Sequence, residues 1–247
     1  MVLPFLFQEY DLIQLYLNKH IEMKYSLIIP IICSIGLFGC KSEKKQDKPA
    51  IEKELSIFEK VAYKSGFGNW HKVDELQFTF NVDRDTSHFE RSWIWKVKMN
   101  EVTSISNNDT IIYHRNKLDS ISSKTNGGFI NDKFWLLAPF NLIWDEGNYT
   151  SVHREEEIAP ISKKPMHKLT IVYGSEGGYT PGDAYDFFFE DDYLLKEWIF
   201  RKGNQPEASL VTTWEDYIEK GGLNIAKMHK NDEGFKLYFN NIEVKTK

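Results

Sequence analysis

Residues able to do chemistry are few and scattered in this 247-residue chain. His88 and Glu90 stand two apart on an alternating stretch, so they share a face, with Asp85 near in sequence. That trio could hold part of a metal site. No HExxH helix, His-x-His pair or cysteine ligand supports it, and a polar pair at a strand end is the plainer reading. His71, His114, His153, His167 and His229 stand singly. Gly174-Ser175-Glu176-Gly177 departs from the Gly-x-Ser-x-Gly elbow, and no helix is expected after it. Asp183 and Asp186, and Glu190-Asp191-Asp192, are carboxylate groupings able to do acid–base work, though the second sits at a turn. No catalytic residue, metal or cofactor is expected from these groups.

Binding is better represented than catalysis. Phe78 and Phe80, Trp93 and Trp95, Phe187 and Phe189, and Trp198 and Phe200 each fall two apart on strand-like stretches. Phe134 and Trp135 add aromatic area from the middle of the chain. These rings either line a hollow for an apolar ligand or fill a closed core, since interiors pack to a density near ~0.75. Arg91 and Lys196 interrupt the apolar faces. A buried cation is costly unless paired or wet. A cavity lip meeting a lipid head group would satisfy it, and so would a carboxylate such as Asp186.

The elements that position these residues begin late. From Met23 a short charged start leads into an apolar run of about 12 residues, Leu27 to Phe38, then Gly39 and Cys40. The run is too short to cross a bilayer core of ~30 Å. Leu37-Phe38-Gly39-Cys40 resembles the lipobox of bacterial lipoproteins, with Phe38 where a small residue is more usual. The resemblance implies cleavage before Cys40 and acylation of that cysteine with palmitate-type chains. An uncleaved anchor or a buried helix is the alternative. Residues 1–22 precede a natural start methionine and read as an upstream extension, or else as part of a longer leader. Residues 23–39 read as a signal peptide, and 40–50 as a lipidated cysteine and flexible tether. That tether, Lys41 to Ala50, reaches about 35 Å at most. Residues 51–247 read as one β-rich domain.

Cysteine usage agrees. Cys33 and Cys40 are the only cysteines, so the domain has no disulfide framework to rely on. A net charge of −5, with no basic run outside the tether, argues against nucleic acid as a partner.

Within the domain, Ile51, Leu55, Phe58 and Ala62 predict an amphipathic helix over Ile51–Ser65, stopped by Gly66. Alternation predicts strands over Leu76–Val82, Phe89–Val97, Val102–Ser106 and Thr110–His114. Phe129–Phe140, apolar nearly all round, predicts a short buried helix capped by Asn131 and ended by Pro139. After a polar stretch, further strands are expected over Lys168–Tyr173, Ala184–Glu190, Tyr193–Arg201, Leu210–Tyr217, Leu223–Lys230 and Phe235–Val244. A change of apolar parity in the last predicts a bulge at Asn240-Asn241. Gly174–Asp183, rich in glycine, either rims a binding mouth or merely joins two strands. The fold class expected is mainly β with two helices. It is a strongly curved antiparallel sheet, a half-open β-barrel, with helices on its concave side.

The opening helix, the Gly66-Phe67-Gly68-Asn69-Trp70 turn, the consecutive hairpins and the mid-chain helical plug resemble the lipoprotein-carrier superfamily of LolA and LolB. The resemblance covers about Ile51 to Lys247. It implies a hollow that takes acyl chains. Lys41-Ser42 lacks the aspartate that follows the cysteine in some inner-membrane lipoproteins, so the outer membrane, on its periplasmic face, is the location expected. The alternatives are an interaction subunit of an envelope complex, with a protein partner and no ligand, and a hydrolase of unknown type.

Overall fold

A capping box starts the domain. In the computed structural model, which describes residues 54–106 and 109–247, Ser56 N donates to Glu59 Oε2 at 2.7 Å and Glu59 N donates back to Ser56 Oγ at 3.3 Å. Helix α1 therefore runs Ile57–Lys64, shorter than the expected Ile51–Ser65. Cys40, the leader and the tether lie outside the described residues. Gly66 takes φ +97°, and a Cβ there would collide with the Gly222 carbonyl. The close approach is held from both sides. Asn69 Nδ2 donates to Gly222 O at 3.0 Å, and Asn224 N donates to Ser65 O at 2.9 Å. A short 3-10 helix, Phe67–Lys72, then leads into the first strand.

Hairpins follow as expected: β1 (Val73–Arg84), β2 (Ser87–Lys96), β3 (Glu101–Ser106) and β4 (Asp109–His114). Helix α2 spans Ser120–Trp144, and the meander resumes with β5 (Tyr149–Ile158), β6 (Pro165–Tyr173), β7 (Ala184–Phe189) and β8 (Leu195–Arg201). It ends with β9 (Leu210–Thr213), β10 (Glu215–Lys220), β11 (Leu223–Lys230) and β12 (Phe235–Thr246).

The strands form two antiparallel sheets. One has seven strands in the order β10-β11-β12-β1-β2-β3-β4, the other five in the order β5-β6-β7-β8-β9. Only Trp214 separates β9 from β10, so the expected single strand Leu210–Tyr217 turns from one sheet into the other at that residue. Thr213 Oγ1 and the backbone of Lys230 exchange hydrogen bonds of 3.3 Å at the same seam. The outer edges, β4 and β5, do not pair with each other, and the wall stays open. The mainly β, half-open architecture is thus the one the alternation indicates.

Two further elements differ from expectation, and one local feature matches it. Strand β5 falls where the sequence predicts a polar stretch. It is an edge strand exposed along most of its length, so it carries no apolar alternation to betray it. Helix α2 begins at Asp119, whose carboxylate accepts from Ser122 N at 2.8 Å, and it runs through Gly127-Gly128 and past Pro139. The backbone pays for the proline by leaving helical geometry at Leu137 (φ −127°, ψ 27°). The bulge at Asn240-Asn241 is present. The β1–β12 register slips between Gln77↔Glu243 and Thr79↔Asn240, and Asn241 adopts φ +51°.

Candidate functional site

Register places the aromatic faces on the inside of the open wall. Phe78 is paired with Trp93 and Phe80 with Arg91 across β1–β2. Phe187 is paired with Trp198 across β7–β8. Helix α2 lies against this concave surface and fills much of it. Phe129 meets both Trp93 and Trp95 edge-on at 5.4 Å. Phe134 lies 5.9 Å and Trp135 4.5 Å from Trp198. Trp93, Trp198, Phe78, Phe134, Phe187 and Phe189 are all 1% exposed or less. Phe80 packs on Phe239 at 5.8 Å, and Phe200 is half-buried over Tyr185. Phe189 lies farther along, stacked on His167 and His153. Most of the ten aromatic side chains expected to line a ligand are thus packed against the protein's own residues, in the plug, in the walls or beyond them.

The two cations singled out in the sequence are both paired. Arg91 faces inward, but its guanidinium forks onto Asp132 of α2, Nε to Oδ2 at 2.5 Å and Nη2 to Oδ1 at 2.7 Å. Asp132, fully buried, also accepts from Trp93 Nε1 at 2.8 Å. Lys196 does not reach the concave face. Phe188 is opposite Glu197 and Phe189 opposite Leu195, so Lys196 is the extra residue of a bulge and turns outward to Asp192 at 2.8 Å. Asp186, the carboxylate considered for a buried cation, pairs with Arg201 instead.

A cavity of about 310 Å³ remains beside the plug, at the end nearest α1. Three indoles wall it: Trp70 from the 3-10 helix, Trp95 from β2 and Trp144 from the last turn of α2. Trp70 lies 5.3 Å from Trp95 and 5.2 Å from Trp144, which makes a continuous aromatic wall. Of the twelve ligand-lining residues expected from sequence, Trp95 alone borders this space.

Charge enters the cavity from Lys133, Arg115 and Asp145, none of which stands out in the sequence as a binding residue. Lys133 on α2 is 8% exposed, and its ammonium sits 4.5 Å from the centre of the Trp144 ring. Among the described residues it makes no hydrogen bond and no ion pair. Burial, with Arg115 adding repulsion, pushes its pKa down to about 7, while Asp145 pulls weakly the other way. Arg115, just past β4, rests 5.3 Å from the Phe129 ring, and its Nε donates to Asn126 Oδ1 at 3.2 Å. Burial lowers its pKa too. Asp145 is the carboxylate of the cavity, and it is already engaged. Asn141 Nδ2 and Tyr173 OH each donate to its Oδ2 at 2.8 Å. The sequence did carry one signal for Lys133: a lone cation inside an otherwise apolar helical run.

The Gly174–Asp183 loop does more than join strands. Tyr179 lies flat on Phe134, with centroids 3.6 Å apart and planes within 5°. Gly178 gives it the necessary backbone at φ +74°, where a Cβ would strike the Tyr173 ring at 2.5 Å. The loop clasps the plug helix from outside. On the exposed end of the β1–β2 hairpin, His88 Nδ1 lies 2.7 Å from Asp83 Oδ1 of the paired strand, and its Nε2 lies 3.6 Å from Glu90. Among the described residues no group of three or more metal-type ligands converges.

No family model matches the sequence, and no curated protein matches it. Solved structures with a similar course of chain include a DUF1329 family protein from Desulfovibrio piger, at 10% identity, TM-score 0.44, covering 76% of this chain and 92% of that one. A LolA superfamily protein from Nitrosomonas europaea matches at 8% identity and TM-score 0.42, covering 76% and 93%. A domain from Vibrio parahaemolyticus assigned to outer membrane lipoprotein sorting matches at 11% identity and TM-score 0.44, covering 76% and 92%.

Proposed function

We propose that this chain is a non-enzymatic envelope protein, tethered through Cys40 to the outer membrane on its periplasmic side, that holds a lipid-like ligand in its half-open barrel. The observation that carries the reading is the indole-walled cavity beside α2. Its volume, about 310 Å³, stands at the lower end of small-ligand sites, which begin near ~300 Å³. It accommodates a head group and the first part of a chain. Deeper entry requires α2 to shift, and the break in its helical geometry at Leu137 is the natural place for it to bend.

The test is solvent extraction of the purified full chain followed by mass spectrometry. One amphiphile per chain, beyond what a control lipoprotein with the same anchor carries, is expected. An extract identical to the control would remove the carrier reading.

One observation favours a second reading, an interaction subunit without ligand. The aromatic interior is packed closely against the plug, while edge strands β4 and β5 leave Ile112 63%, Val152 55% and Ile158 59% exposed. A stoichiometric protein partner in detergent extracts, together with an empty lipid extract, would select it.

A further inference from the structure

Lys133 is expensive to keep. It is nine-tenths buried, and no carboxylate within ion-pair distance compensates it among the described residues. Such a group ordinarily acquires a partner or is replaced by an apolar side chain. Its surroundings rule out the simplest internal partner. Asp145 is already held by Asn141 and Tyr173, and it forms no ion pair with Lys133. Arg115 brings a second cation whose hydrogen-bond partners, Asn126 and Asn100, are neutral. The cavity thus gathers two cations and one committed carboxylate, so its unmet need is negative charge. A cationic ligand would meet repulsion from both basic groups, whereas an anion would complete the set. The indole wall supplies apolar contact for whatever is attached to that anion.

We propose that this cavity is an acid-recognition site, in which Lys133, with Arg115 behind it, pairs with the carboxylate or phosphate head of a single-chain amphiphile and selects acids over neutral lipids of equal length. The inference rests on the carrier reading above and gives it a ligand class.

The test uses the full chain in a non-ionic amphipol, titrated with palmitate, hexadecyl phosphate and hexadecanol. Both acids are expected to bind about tenfold or more tightly than the alcohol, the scale of one charge-assisted hydrogen bond. Lys133→Met, which keeps the volume of the side chain, should weaken the acids until they and the alcohol bind to within about threefold of each other. Lys133→Arg should keep the preference. A melting curve for each variant establishes that it is folded. Inorganic phosphate and acetate, added as competitors, separate the sources of the anion. Weak competition supports an amphiphile, and binding of phosphate without binding of palmitate overturns it. Equal affinity for acid and alcohol in the unmodified chain overturns the head-group assignment and leaves the carrier reading standing. Failure of all three amphiphiles to bind overturns both.

Discussion

Arg91 and Asp132 lock the plug helix to the wall of the half-barrel through two parallel hydrogen bonds, with the aspartate at 0% and the arginine at 12% side-chain exposure. Removing one partner strands the other's charge. Asp132→Ala should therefore cost about 3–5 kcal/mol, and the double variant Arg91→Met/Asp132→Leu should recover most of it. Urea unfolding monitored by tryptophan fluorescence reads both. Equal destabilisation in the single and double variants would show that the pair contributes by shape alone.

Gly128 exists for the same clamp. A Cβ at this helical position would come within 2.6 Å of Arg91 Nη1 and 2.9 Å of its Cζ. Alanine ordinarily gains about 1 kcal/mol over glycine in a helix interior. Here the guanidinium cannot retreat without releasing Asp132. Gly128→Ala should lower stability by about 1–3 kcal/mol despite the better propensity. The midpoint of thermal unfolding decides the sign.

Lys133 should cost the fold stability at neutral pH. Its folded pKa, about 7, lies below the unfolded value, so the unfolded chain binds more protons between the two and stability rises with pH through that window. Lys133→Met should stabilise the ligand-free protein by about 2–4 kcal/mol at pH 7 and flatten the pH dependence from about 7 to 10. Melting temperatures across that range measure it. A variant less stable than the parent would mean that the ammonium is already compensated.

His229 sets an acid limit. It is fully buried against Trp135 and Trp214, and burial pushes its pKa down to about 3. Below the unfolded value, near ~6.5, the unfolded chain takes up the proton first. Stability should fall steadily as pH drops through that window, by about 3 kcal/mol at pH 4.5 from this residue alone. His229→Phe should remove that component of the slope in equilibrium unfolding measured between pH 7 and pH 4.5.

The sequence was most legible where one face of a strand is buried. Leu76, Phe78 and Phe80 announce β1 because they alternate with the polar Gln77, Thr79 and Asn81, although Thr79 and Asn81 are themselves buried, with hydrogen bonds to neighbouring strands. The slip to Ile242 announces the bulge in β12. Strand β5 was invisible because its residues meet water on both faces. Helix α2 was cut short because Gly127-Gly128 and Pro139 are local breakers, while the contacts that override them are tertiary: Arg91 over Gly128, and the packed sheet around Leu137. The candidate site was hardest to see. Arg91 and Lys196 looked unpaired because their partners, Asp132 and the outward turn at a bulge, depend on register. Lys133 and Arg115 come together only once β4 and α2 are folded, and their distance in sequence hides the pairing.

The most direct measurement of an acyl ligand in the cavity is photo-crosslinking of the full chain, in its membrane, with a palmitate carrying a diazirine near its carboxyl end. Peptide mapping is expected to find the label on segments bearing Trp70, Trp95 and Trp144, with competition by excess palmitate. Label confined to the tether or to the exposed edges β4 and β5, unaffected by palmitate, would contradict it.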